Sequence, residues 1–154
     1  MRDFLEVCCG LDIHKDGVVA CLLKGRLGQE PSSEIKEFST LLSGLEMLKS
    51  WLTENNCSEV AMESTGVYWF PIYNVLDAMF EDEGGIHMTV TNPRHMKNVP
   101  GKKTDVNDAK WIASLLRAGL LNASYIPPRQ VRELRDWTRY RKTIVQEMTG
   151  HKNR

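Results

Sequence analysis

Asp105 and Asp108 stand three apart in the run Lys102-Lys103-Thr104-Asp105-Val106-Asn107-Asp108-Ala109-Lys110. On a helix that spacing puts both carboxylates on one face. Two close carboxylates repel each other unless a cation sits between them. An all-oxygen cluster of this kind suits a hard divalent ion such as Mg²⁺, with Mn²⁺ able to substitute. Acids in a first helical turn also complement the helix dipole, so the pair alone reads first as solvated surface. Lys102 and Lys103, with no acid between them, tilt the reading toward a phosphate-handling site.

Two further carboxylates lie far away in sequence. Asp12 interrupts the apolar run Val7-Cys8-Cys9-Gly10-Leu11-Asp12-Ile13. A charge there needs a partner, a metal or an exposed strand end. Glu63 closes the short apolar run Ser58–Glu63, just before the turn Ser64-Thr65-Gly66. In open α/β sheets ligands bind beyond the carboxyl ends of strands, which suits Glu63 for chemistry. The segment 92–103 carries Arg94, Lys97, Lys102 and Lys103 and no acid, a candidate contact for a phosphate backbone. Lys15, three residues after Asp12, joins that set.

Positioning these groups takes a series of elements. Residues 4–13 read as a strand apolar on both faces near its end, as in a central strand. His14-Lys15-Asp16-Gly17 is a turn, and residues 18–23 make a second strand, hairpin-paired to the first. Residues 35–38 suit a third, edge strand. Ser43-Gly44-Leu45-Glu46 has capping-box spacing, and a helix is expected over about 44–55. A strand over 58–63 follows, then a helix after Gly66 with Val67, Phe70, Val75, Leu76 and Met79 as its apolar side; Tyr68 and Trp69 read as core. Residues 86–90 make another strand and 92–103 a loop. The helix carrying Asp105 and Asp108 runs to Ala118, with Thr104 as N-cap and Gly119 as C-cap glycine. After Pro127-Pro128 a long helical pattern runs to Arg154. Its weak stripe of Val131, Leu134, Thr138, Arg141, Val145 and Met148 calls for a partner or more chain.

The totals bound the class. A chain of 154 residues suffices for one domain with a real core. The zero net charge hides an uneven spread: residues 129–154 hold eight Lys/Arg against three Asp/Glu, leaving an acidic body and a basic tail. Such a tail suits nucleic acid or a solvated helix face. The four cysteines form no C-x-x-C pair and the histidines show no ligand spacing to them, which argues against zinc. Buried free thiols are expected at Cys8 and Cys21. No signal peptide or long apolar span is visible, so a reducing, cytoplasmic setting is expected.

The order β-β-β-α-β-α-β-α, with acids on strand one, strand four and a late helix, is that of the ribonuclease-H-like fold, in which such acids converge. Two divalent ions roughly 4 Å apart there can activate a nucleophile and stabilise a leaving oxygen. Three blocks carry a closer resemblance: Gly10-Leu11-Asp12-Ile13-His14-Lys15, Met62-Glu63-Ser64-Thr65-Gly66-Val67-Tyr68-Trp69 and Lys103-Thr104-Asp105-Val106-Asn107-Asp108-Ala109. In order and spacing they resemble the signature blocks of the DEDD transposases, the insertion-sequence-110 family and the related Piv invertases.

The resemblance implies an α/β, RuvC-like domain over 1–126: a mixed five-stranded sheet with helices on both faces. It implies the start of a coiled-coil assembly helix over 127–154, and a serine-bearing C-terminal domain beyond this chain, which would then be a fragment. It implies Asp12, Glu63, Asp105 and Asp108 as the catalytic, Mg²⁺-binding tetrad, and DNA recombination directed by a structured bridge RNA; the basic residues Lys15, Arg94, Lys97, Lys102 and Lys103 are the expected nucleic-acid contacts from their charge. It also implies a homo-oligomer joined through the last helix, acting in a bacterial cytoplasm on the nucleoid.

Three other readings stay open. A Holliday-junction resolvase or other structure-specific nuclease would use the same acids. Half of an actin-like sugar or acetate kinase would share the Gly-x-Asp opening, although no second glycine-rich phosphate loop is present. A non-catalytic nucleic-acid-binding module would keep the acids structural.

Overall fold

The computed structural model describes residues 2–81, 85–97 and 108–153. The chain divides into two compact units, Met1–Ser124 and Tyr125–Arg154. The first contains β1 (Val7–Ile13), β2 (Gly17–Lys24), β3 (Ser32–Ser39), α1 (Leu42–Glu54), β4 (Glu59–Glu63), α2 (Trp69–Glu81), β5 (His87–Thr91), α3 (Pro93–Lys97) and α4 (Asp108–Arg117). The second is one long helix, α5 (Arg129–Lys152).

The five strands form one sheet in the order β3-β2-β1-β4-β5. β1, β2 and β3 are an antiparallel meander, while β1, β4 and β5 run parallel. Three strands therefore present their carboxyl ends at one edge of the sheet. The run from Cys8 to Leu11 is buried because β1 has a strand on either side and helices on both faces. β3 is exposed everywhere except Phe38, as an edge strand should be. It is longer than the expected 35–38, because Ser32 to Ile35 pair in register with Lys24 to Cys21 of β2.

One face of the sheet carries α4 and α3. Cys8, Cys21, Leu23 and Ala61 pack there against Met96, Ala109, Ile112, Ala113, Leu115 and Leu116. Alternation along the strands turns Cys9, Leu11, Val60 and Met62 to the opposite face. That layer is supplied by α1 and α2, whose Leu45, Leu48, Leu52, Ile72, Leu76 and Phe80 are buried. Phe38 and Trp51 lock β3 to α1 with ring centroids 5.5 Å apart.

Helix ends follow local chemistry. α4 closes as expected on Gly119 at φ +65°, with the Gly119 and Leu120 N–H groups donating to the Leu116 and Leu115 carbonyls, a Schellman arrangement. Asn56, at φ 52°, ends α1 in the same way through Asn56 N–H to Thr53 O and Cys57 N–H to Leu52 O. The capping box expected at Ser43 does not form. α1 starts earlier, with Leu41 as N-cap and no side-chain cap bond. Gly44 explains the shift: a Cβ there would meet the Ser39 carbonyl carbon at 2.8 Å, so the first turn is pressed onto the end of β3. Ser39 Oγ meanwhile accepts the Leu41 N–H at 3.1 Å.

The α2 face also differs from expectation. Its buried positions are Ile72, Tyr73, Leu76 and Phe80. Phe70, Val75 and Met79 are half-buried flanks, and Val67 is exposed because it precedes the helix. Tyr68 is exposed rather than core, and Trp69 is half-buried, its edge against Phe70 and Tyr73. Along α5 every residue except Arg132 is exposed, Leu134, Trp137, Tyr140, Val145 and Met148 included. Among the described residues no helix is long and apolar enough to cross a membrane.

Candidate functional site

Cys8, Gly10 and Asp12 alternate onto one face of β1. α4 crosses that face closely. The Cys8 thiol donates to the Ala113 carbonyl at 3.5 Å. A Cβ at position 10 would meet the Ala113 backbone nitrogen at 2.5 Å and the Ala109 carbonyl oxygen closer still. Only glycine admits the helix at this distance. Ala113 lies by Cys8 and Ala109 by Gly10, so α4 runs opposite to β1. Its amino end, with Asp108 as first residue, is thereby aimed toward the strand end that bears Asp12.

β4 brings Glu63 to the same place. Gly10 pairs with Ala61 and Leu11 with Met62 in the parallel register. One further step sets Asp12 beside Glu63 on neighbouring strands, which lie about 4.8 Å apart. Ala61 belongs to the cluster under α4, so Glu63, two residues on, faces the α4 side as Asp12 does. The fold thus gathers Asp12 and Glu63 at one edge of one face, with Asp108 on the helix above. Asp105 lies outside the described residues, as does its expected N-cap Thr104. Among the described residues no three His, Cys, Asp or Glu side chains close into a metal-binding group.

Each strand-end carboxylate has a partner from the loop that follows it. Asp12, with its side chain 24% exposed, pairs through Oδ2 with His14 Nε2 at 3.1 Å. Glu63 Oε1 accepts a hydrogen bond from the Thr65 hydroxyl. Thr91, paired in register with Glu63 on β5, is fully buried, and its Oγ1 has no hydrogen-bond partner among the described residues. The set is carboxylates and a hydroxyl, oxygen donors of the type that hard divalent cations prefer. His14 and Thr65 escaped the sequence reading as site residues. Their signal is position: in extended chain the residue two beyond a strand-end acid returns to the acid's own face.

Two of the basic residues, Lys15 and Arg94, follow the carboxyl ends of β1 and β5. Lys15 is exposed in the β1–β2 turn, where His14 N–H donates to Gly17 O at 2.9 Å. Segment 92–103, read as a loop, begins instead with α3. Asn92 Oδ1 accepts the Arg94 N–H at 2.9 Å, and Pro93 takes the first helical position, a start signal present in the Asn-Pro pair. Met96 anchors α3 in the core cluster and Arg94 stays exposed. Lys97 ends α3, and Lys102 and Lys103 lie outside the described residues.

Thiol chemistry has no place in the site. All four cysteines are free and buried. Burial pushes the Cys8 thiol up to about 12 and Cys57 to about 11, and raises Cys9 and Cys21 as well. Such thiols stay protonated and unreactive at neutral pH. A cavity of ≈ 310 Å³ lined by Thr53, Asn56, Cys57, Phe80 and Ile86 sits at the amino ends of β4 and β5, the far end of the sheet from the acids.

Among curated proteins none matches the sequence. RuvC from Thermus thermophilus is similar in structure at TM-score 0.53, with 11% identity over 77% of this chain and 99% of that one. The T. thermophilus RuvC complex with a Holliday junction substrate gives TM-score 0.50 at 12% identity, over 78% of this chain and 100% of that one. At such identities the likeness concerns the fold, and it is the RuvC-like, ribonuclease-H-like fold expected from the element order. The family profile of the DEDD transposases of the insertion-sequence-110 type, described as Transposase, matches residues 9–154. Nearly the whole chain is covered, and the chain belongs to that transposase family.

Proposed function

We propose that this chain is the RuvC-like domain of a DNA transposase and site-specific recombinase that handles phosphodiesters with divalent cations held by Asp12, Glu63, Asp105 and Asp108. What supports the reading is the parallel register of β1 and β4, whose last pair is Leu11 with Met62, so that the next residue of each strand is an acid, Asp12 and Glu63, on the face that α4 covers. Mg²⁺, when bound, would polarise a phosphate oxygen and ease formation of the attacking or leaving oxyanion. The residues of this chain supply the rest. Asp12 and Glu63 offer carboxylate oxygens from neighbouring strands, and Asp108 opens the helix that covers the same face. Arg94, Lys97, Lys15 and the lysines at 102 and 103 hold the backbone of DNA, and of a structured guide RNA, across this edge.

Family membership supports the choice of a transposase over an actin-like kinase. In this reading a serine nucleophile comes from a further domain of the kind the family resemblance implies, α5 begins an assembly helix that pairs copies of the chain, and the protein works in the cytoplasm. Two experiments test it. In the first, the chain is mixed with labelled duplex and four-way-junction DNA with and without Mg²⁺, alongside Asp12→Asn and Glu63→Gln. Metal-dependent engagement of DNA that both substitutions remove is expected. Efficient junction cutting by this chain alone would favour a stand-alone resolvase, and DNA binding indifferent to metal and to both substitutions would favour a non-catalytic module. The second is sedimentation of the chain with and without α5, in which loss of self-association on truncation is expected.

A further inference from the structure

The two strand-end acids share a device. Asp12 is held by His14 and Glu63 by Thr65, in each case the residue two positions on, at the start of the loop leaving the strand. Each contact occupies one named carboxylate oxygen, Oδ2 of Asp12 and Oε1 of Glu63. Among the described residues nothing else takes up the second oxygen of each carboxylate, which leaves it for another ligand. Neither donor belongs to the buried core: His14 is 61% exposed and Thr65 is exposed. Packing does not account for them, whereas a carboxylate on a strand end has free rotamers that a hydrogen bond removes.

We infer that His14 and Thr65 are positioning residues, which fix the Asp12 and Glu63 carboxylates so that one oxygen of each is presented to a shared divalent cation. The inference rests on the metal-binding reading above and adds to it two residues that touch neither cation nor nucleic acid. Hydrogen-bonded partners of ligating carboxylates typically govern metal affinity by 10–100-fold. Substrate binding through the basic residues is a separate matter, so DNA affinity measured without divalent metal should not respond to either side chain.

The test is Mn²⁺ titration of the whole 154-residue chain, with free Mn²⁺ read by electron paramagnetic resonance at one fixed pH and folding checked by circular dichroism. His14→Ala and Thr65→Val, the latter nearly isosteric, should each weaken Mn²⁺ binding about 10-fold. His14→Gln and Thr65→Ser keep a donor and should restore wild-type affinity. Two outcomes overturn the inference while leaving the acidic site standing. Either His14→Ala and Thr65→Val bind Mn²⁺ like wild type while Asp12→Asn does not, or the donor-keeping variants lose as much as the donor-free ones. If wild type takes up no Mn²⁺, or Asp12→Asn binds it unchanged, the metal reading itself falls and takes this inference with it.

Discussion

Replacing Gly10 with alanine should force α4 off the sheet. The added Cβ would lie 2.5 Å from the Ala113 backbone nitrogen and closer to the Ala109 carbonyl oxygen, against 3.4 Å for ordinary contact. The missing space, about 1 Å, cannot come from a flexible side chain, because both obstacles are helix backbone. It must come from moving α4, which carries Ala109, Ile112, Ala113, Leu115 and Leu116 in the core cluster. Overpacking of this kind costs about 1–3 kcal/mol, and rigid backbone on both sides puts this case near 3. For a domain of this size that lowers Tm by roughly 6–12 °C. Thermal unfolding followed by circular dichroism reads the loss, and urea titration with an unchanged m-value confirms that the folded packing is what changed. Gly150→Ala in α5 is the control: nothing lies within 4 Å of its Cβ position, so the same change there should leave the main transition alone or favour the helix. A Gly10→Ala protein as stable as wild type would refute the close crossing of α4 over β1. The approach of Asp108 toward Asp12 and Glu63 would then lose its basis.

Other outcomes follow from the same structure. Arg117, 3% exposed, donates to the carbonyls of Glu6, Gly25 and Arg26 and pairs with Asp3 at 3.2 Å, tying the end of α4 to the segment that leads into β1 and to the turn after β2. Lysine cannot reproduce that fork, so Arg117→Lys should cost about 2 kcal/mol or more in urea unfolding; a loss under about 0.5 would contradict the clamp. The buried thiols are neutral in the folded chain, so their contribution to stability is intact below their ordinary 9.0 and is lost as pH rises toward about 12. Stability should therefore fall progressively above pH 9, and a thiol reagent at pH 8 should label the native chain slowly and all four cysteines in urea. DNA affinity should fall with salt at a log–log slope of about −4.5 if five basic residues meet phosphates, and Arg94→Ala should flatten that slope by about 1. A flat salt response would remove the basic edge as the binding surface.

Much of the fold was legible because its signals are local. The apolar run around Asp12, the His14–Gly17 turn, the strand ending on Glu63 and the Gly119 C-cap all act through neighbouring residues, and each element formed where expected. The departures come from contacts that periodicity does not carry. α1 starts early because Gly44 lets its first turn press on β3. β3 extends to Ser32 because β2 pairs with it, although its own residues are mostly polar and exposed. On α2 the stripe counted from Val67 was out of phase, since the helix begins at Trp69. α3 was hidden in a basic segment although Asn92-Pro93 is a helix-start signal. Within the site, strand ends placed Asp12 and Glu63 by register alone. His14 and Thr65 became visible only once both acids had a common face, and the contribution of Asp105, Lys102 and Lys103 lies outside the described residues.

In the proposed function, acids remote in sequence share one divalent-cation site at the carboxyl edge of β1 and β4. Anomalous diffraction from crystals of this chain soaked in Mn²⁺ tests it most directly. A Mn²⁺ peak is expected within about 2.5 Å of oxygens from both Asp12 and Glu63, with a carboxylate of the Asp105/Asp108 pair completing the shell. Saturating Mn²⁺ that leaves this edge without a peak, or that binds only elsewhere, would contradict it.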